Sequence, residues 1–97
     1  MTKDSPLFDA SDYLDSPDAR ADYMAAALEE GDAAEIWRAL GTVARSLGMT
    51  AVAEQAGLGR ESLYKARGET GNPEFATVLK LMKAMGLKLS ALPIGAD

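Results

Sequence analysis

The stretch from Met49 to Gly68 constrains this chain more than any other, because two short helical patterns there flank a single glycine. Thr50 is a good N-cap, since its hydroxyl can accept from a free amide two or three residues further on. The first pattern then presents Val52, Ala53 and Ala56 on one face, with Ala53 small where two helices must cross closely. Gly57 is free to take positive φ, and Leu58 drops back toward the interior. Leu63 and Ala66 carry the apolar stripe of the second helix. These positions agree on a helix-turn-helix, the unit that lays its second helix in the major groove of DNA.

The residues that the second helix shows to solvent sharpen this expectation. Arg60, Glu61, Ser62, Tyr64, Lys65 and Arg67 lie at its start and on its outer face. Arg60 is placed to reach a guanine edge or a phosphate; Ser62 and Tyr64 can reach base edges or backbone oxygens. Lys65 and Arg67 can neutralise phosphates. Any solvated helix can carry such side chains. Here the buried and the exposed patterns point the same way.

Composition narrows the alternatives. The 97 residues make one small domain with an appended arm, and a hydrophobic fraction of 47% allows a modest helical core. Cysteine and histidine are both absent, which removes disulfides, thiolate nucleophiles, imidazole bases and the usual zinc ligands. Only all-carboxylate sites remain, and no metal or cofactor is expected. An enzyme is a poor reading: the Asp and Glu pairs fall on solvated helix faces and no glycine-rich phosphate loop is present. There is no apolar run of about 18 residues for a membrane span, nor a basic stretch followed by an apolar one. A cytoplasmic location is expected.

The net charge of −5 argues at first against a polyanion as partner, but its distribution reverses that. Residues 1–32 hold nine acids against Lys3 and Arg20, a balance of −7. Residues 33–96 hold eight bases against five acids, a balance of +3, and Asp97 supplies the last negative charge. An acidic front and a mildly basic body suggest two different partners.

Taken in order, Phe8, Tyr13 and Leu14 form the first apolar group, on a short helical or extended segment that Asp9 could cap. Phe8 reads as a small anchor or as a hook for a partner. Ser16-Pro17 starts a helix that runs through Ala19, Tyr23, Met24, Ala27 and Leu28 and stops at Gly31. It reads equally as a docking helix for a basic protein and as an accessory helix with a solvated face. Asp32 caps the next helix, to about Leu47, which buries Ile36, Leu40, Val43, Ala44 and Leu47, with Trp37 flanking. Gly41 in mid-helix predicts a close approach, and Gly48 ends the helix. A last helix from Pro73 to Met85 is predicted to bury Phe75, Val78, Leu79, Met82 and Met85, and Gly86 ends it. Its first amides, with Asn72, either hold a DNA phosphate or are simply capped. The tail Leu87 to Leu92 alternates like a strand with no hairpin partner. It would have to pair with the N-terminal segment, a second copy or another protein. The predicted organisation is an acidic arm and accessory helix over residues 1–31, then a helix-turn-helix domain with a C-terminal strand over 32–97.

The order of these features resembles the addiction-module antidote proteins, the HigA-like antitoxins of bacterial toxin–antitoxin operons. The likeness rests on Phe8-Asp9-Ala10 with Tyr13-Leu14, Leu28-Glu29-Glu30-Gly31-Asp32, Ala39-Leu40-Gly41 and Ala44-Arg45 with Gly48-Met49. It continues through Gly57-Leu58, Arg60-Glu61, Leu63-Tyr64-Lys65-Ala66, Gly71-Asn72-Pro73 with Phe75, Thr77-Val78-Leu79-Lys80 and Gly86-Leu87-Lys88-Leu89. Gly59 stands where a serine is common, a cap weaker by a few tenths of a kcal/mol. The resemblance implies an all-α, lambda-repressor-like helix-turn-helix fold and a two-part role. One part is neutralisation of a small basic toxin, typically an mRNA-cleaving relative of RelE. The other is repression of its own operon, alone or with the toxin, through double-stranded operator DNA. A homodimer is expected, and the unpaired strand Leu87 to Leu92 is one route to it, its pairing with the N-terminal segment staying open. Thr50, Arg60, Glu61, Ser62, Tyr64, Lys65, Arg67 and Asn72 form the predicted DNA-binding set. A helical adaptor and a stand-alone phage-type repressor are the competing readings.

Overall fold

Local chemistry at the caps sets each helix. In the computed structural model, which describes residues 10–59 and 74–95, a single 3-10 helix spans Ala10–Tyr13. Ser16 Oγ then accepts from the Ala19 amide at 3.1 Å, and Pro17 needs no partner in the first turn, so α1 runs Pro17–Glu30. Gly31 closes it in the left-handed conformation. Asp32 repeats the device: its carboxylate accepts from the Glu35 amide at 3.1 Å and opens α2, Ala33–Leu47. Gly48, at φ 103°, separates α2 from α3, Met49–Ala56. The last described helix, α4, spans Phe75–Ala84. The Leu87 amide folds back onto the Met82 carbonyl at 2.8 Å around Gly86, satisfying a carbonyl the helix leaves open. The starts and stops expected at Ser16, Gly31, Asp32, Gly48 and Gly86 are all present.

Helix α2 is the hub. It packs against the 3-10 helix, α1 and α3, while α4 lies on α3. Leu40 and Val43 of α2 are fully buried among Leu14 and Met24 from the front, Val52 of α3, and Leu81, Met82 and Met85 at the back. One continuous cluster therefore joins all four described α-helices and Leu14, which follows the 3-10 helix. Ile36 and Trp37 pack against it half-buried. Thr42 is a buried hydroxyl that sequence patterning did not single out. It donates to the Arg38 carbonyl at 3.1 Å and accepts from Arg45 at 3.3 Å, so its burial costs no hydrogen bond.

Several expectations are corrected. No strand exists among the described residues, and residues 87–92 have no regular secondary structure. Leu87 and Leu89 are nevertheless half-buried against the core, with Lys88 and Ser90 exposed. The alternation thus holds from Leu87 to Ser90 and ends there, since Ala91 is exposed, and it records a segment laid on helices rather than a ladder. Period-two burial requires only a surface to lie on, whereas a strand requires a hydrogen-bonding neighbour. A dimer through strand pairing therefore has no strand among the described residues to support it. On α4, Leu81 is buried while Phe75 and Leu79 are 67% and 43% exposed, so the inward face is rotated from the expected one. Leu47, expected to be inside, is at the rim of α2. Thr50 is not the cap of α3; Gly48 holds that position without a side-chain bond.

Nor does anything described pack closely on Gly41. A Cβ built there meets only the Arg45 guanidinium, at an ordinary 3.8 Å. Gly41→Ala should therefore stabilise the protein by about 0.5–1 kcal/mol, read as a rise in the urea midpoint. A fall would reveal a neighbour that needs the space.

Candidate nucleic-acid interface

The first half of the expected DNA-reading unit is present and well built. Val52 and Ala53 of α3 are buried, Ala53 among the tightest small residues of the interior. Gly57 takes φ 74°, and its amide bonds back to the carbonyls of Ala53 and Glu54. The Leu58 amide reaches the Ala53 carbonyl at 2.9 Å, and its side chain returns half-buried to the core. An L-residue in that left-handed bend is strained whatever the space around it, and no described atom lies within 4 Å of an added Cβ. Gly57→Ala should then cost about 1–2 kcal/mol from the backbone alone, while Gly57→Asn should cost less. Equal melting of the two variants would show that the bend does not set the cost.

Of the predicted DNA-contacting residues, Thr50 is exposed on the first turn of α3, beside the exposed Ala51 and ahead of exposed Glu54 and Gln55. Arg60, Glu61, Ser62, Tyr64, Lys65, Arg67 and Asn72 lie outside the described residues, as do Phe8, Leu63 and Ala66. Arg45, one turn ahead of α3, is exposed, and its Nη2 donates to Thr42 Oγ1 at 3.3 Å. Its position in the last turn of α2 also suits the negative end of the helix dipole. The i, i+3 spacing from Thr42 was the available signal for this orientation.

The opposite end has a different character. Asp18, Asp22, Ala25 and Glu29 share one stripe of α1 by helical spacing, and all four are exposed. Arg20 is the only base of α1, and it is turned away: Nη1 donates to the Leu14 carbonyl at 2.8 Å. The stripe therefore faces solvent as a row of carboxylates around a small residue. Among the described residues no group of three or more His, Cys, Asp or Glu side chains could hold a metal, and no helix is long and apolar enough to cross a membrane.

A small protein, all-helical among the described residues, with an acidic helix face and a glycine-bent helical motif, is the class these features define. The chain belongs to the family described as "Probable addiction module antidote protein", whose sequence model matches residues 4–93. It is also 43% identical over 88 residues to a Haemophilus influenzae protein described as "Uncharacterized protein", covering 91% of each chain. No solved structure gives a significant match. The family is that of an antidote, and an antidote implies a toxin as partner.

Proposed function

We propose that this antidote neutralises a small basic, RNA-cleaving toxin of the RelE type and represses its own operon by binding operator DNA as two copies. The observation that carries the DNA-binding part is the left-handed bend at Gly57 with Leu58 returned to the core. That arrangement closes a first helix at the position where a reading segment, Arg60 to Arg67, follows in sequence. The acidic stripe of α1 supports a basic protein as the second partner, on a surface well separated in sequence from the bend.

A mobility-shift titration on the DNA upstream of the chain's own reading frame tests the first part. Retardation is expected at low salt, with log affinity falling linearly against log salt. An unshifted duplex at about 50 mM salt would leave a helical adaptor as the better reading. The second part is tested by co-expression with the neighbouring toxin frame. The triple reversal Asp18→Lys, Asp22→Lys, Glu29→Lys should abolish growth rescue while operator retardation persists. Undiminished rescue would remove α1 as the toxin-facing surface.

A further inference from the structure

The buried hydroxyl of Thr42 holds an arginine that the predicted DNA-contacting set omits. Thr42 is 4% exposed and donates its one hydrogen to the Arg38 carbonyl at 3.1 Å, so its oxygen has only acceptor capacity left. Arg45 Nη2 donates to that oxygen at 3.3 Å. A helical side chain leans toward the N-terminus of its helix, over the residues three and four before it. For Arg45 those residues are Thr42 and Gly41. Gly41 offers no side chain, and a Cβ built there would sit 3.8 Å from Arg45 Nη1. The guanidinium therefore lies along α2, in a seat made by one hydroxyl and one glycine. Its orientation is set within two turns of a single helix.

The place of that seat in the fold points to what the guanidinium meets. The Arg45 carbonyl accepts from the Gly48 amide at 3.3 Å, and Gly48 is the N-cap of α3. Arg45 thus stands at the corner that leads into α3, the first helix of the expected helix-turn-helix. In that motif the first helix crosses the DNA backbone while the second reads bases. Arginine suits the position better than lysine would. A fork steadied at one nitrogen can present parallel N–H groups to two oxygens of one phosphate. Arg38, two turns earlier, is the poorer candidate, because Glu35 engages it at 3.4 Å.

We infer that Arg45 grips a backbone phosphate of the operator and that Thr42 is its positioning residue. The inference rests on the operator-binding reading and adds to it a contact from α2, outside the reading segment Arg60 to Arg67. A phosphate contact carries no base information. It fixes how the protein sits on the duplex without changing which sequence is chosen.

Binding titrations on operator and scrambled duplexes across a salt series supply the test. Arg45→Ala should weaken both duplexes alike, by about tenfold or more per copy, and reduce the salt slope by about one per copy. Arg45→Lys should keep the slope but lose affinity, since the charge stays and the fork goes. Thr42→Val should weaken binding about two- to tenfold, the value of one hydrogen bond, and Thr42→Ser should restore it. On the Arg45→Ala background, Thr42→Val should have no further effect. Growth rescue against the toxin should match the parent in every variant, which checks folding. An Arg45→Ala protein with the parent's affinity and slope overturns the inference and leaves the operator reading standing. A Thr42→Val loss of equal size on both backgrounds overturns the positioning role, because it marks a packing effect. A parent that leaves operator unshifted removes the operator reading, and this contact falls with it.

Discussion

Replacing Leu40 with alanine is expected to lower the unfolding free energy by about 3 kcal/mol, within the range for buried leucines whose surroundings cannot collapse. The cavity would open at the middle of α2, where Leu40 is 2% exposed and shares one cluster with Leu14, Met24, Val52 and Leu81. For a domain of this size the loss is a large fraction of a total of about 5–10 kcal/mol. Urea unfolding followed by the single tryptophan, Trp37, and by far-UV circular dichroism supplies the check. Trp37 packs on the same cluster, so the two probes should give one coincident transition, displaced to lower urea in the variant. A midpoint that scarcely moves would mean that α2 is not the hub.

Operator binding should be strongly weakened in Arg60→Ala and again in Lys65→Ala, while toxin neutralisation is retained. A bidentate base contact contributes about 1–3 kcal/mol, and a site read by two copies doubles that to about 2–6 kcal/mol. Arg60, if it reads a guanine edge, should lose sequence preference as well as affinity. Lys65, if it neutralises a phosphate, should weaken all sequences alike and reduce the salt slope by about one per copy. Fluorescence anisotropy on operator and scrambled duplexes at several salt concentrations separates the two roles. Both variants binding like the parent would refute the assignment of Arg60 to Arg67 as the reading segment. The acidic stripe of α1 lies elsewhere in the sequence, so growth rescue supplies an internal control for folding.

How much of this was legible before the structure depended on range. Caps are short-range events: Ser16 and Asp32 each accept from an amide three residues on, and Gly31, Gly57 and Gly86 each need a backbone sign few residues tolerate. All could be read locally. The inward face of α4 could not. Its apolar residues Phe75, Val78, Leu79, Leu81, Met82 and Met85 cover a broad arc, wider than one neighbour can bury. Which part turns inward depends on the angle at which α4 meets α3, a tertiary quantity. The tail failed for a related reason, since alternation reports which sides are wet but not whether a neighbouring backbone is there to bond. Of the candidate site, the bend and the returning leucine were readable in advance. The buried Thr42 hydroxyl and the Arg45 it orients were missed, because hydrophobic periodicity is blind to a polar group that satisfies itself within one helix turn.

The short bond from Arg20 to the Leu14 carbonyl has a mechanical consequence. Leu14 is a core residue, so the guanidinium fastens the start of the acidic helix to the same interior on which α3 rests. A ligand gripping that helix would have no slack joint to take up its pull. The pull would load the core segment at Leu14 as well as α1 itself.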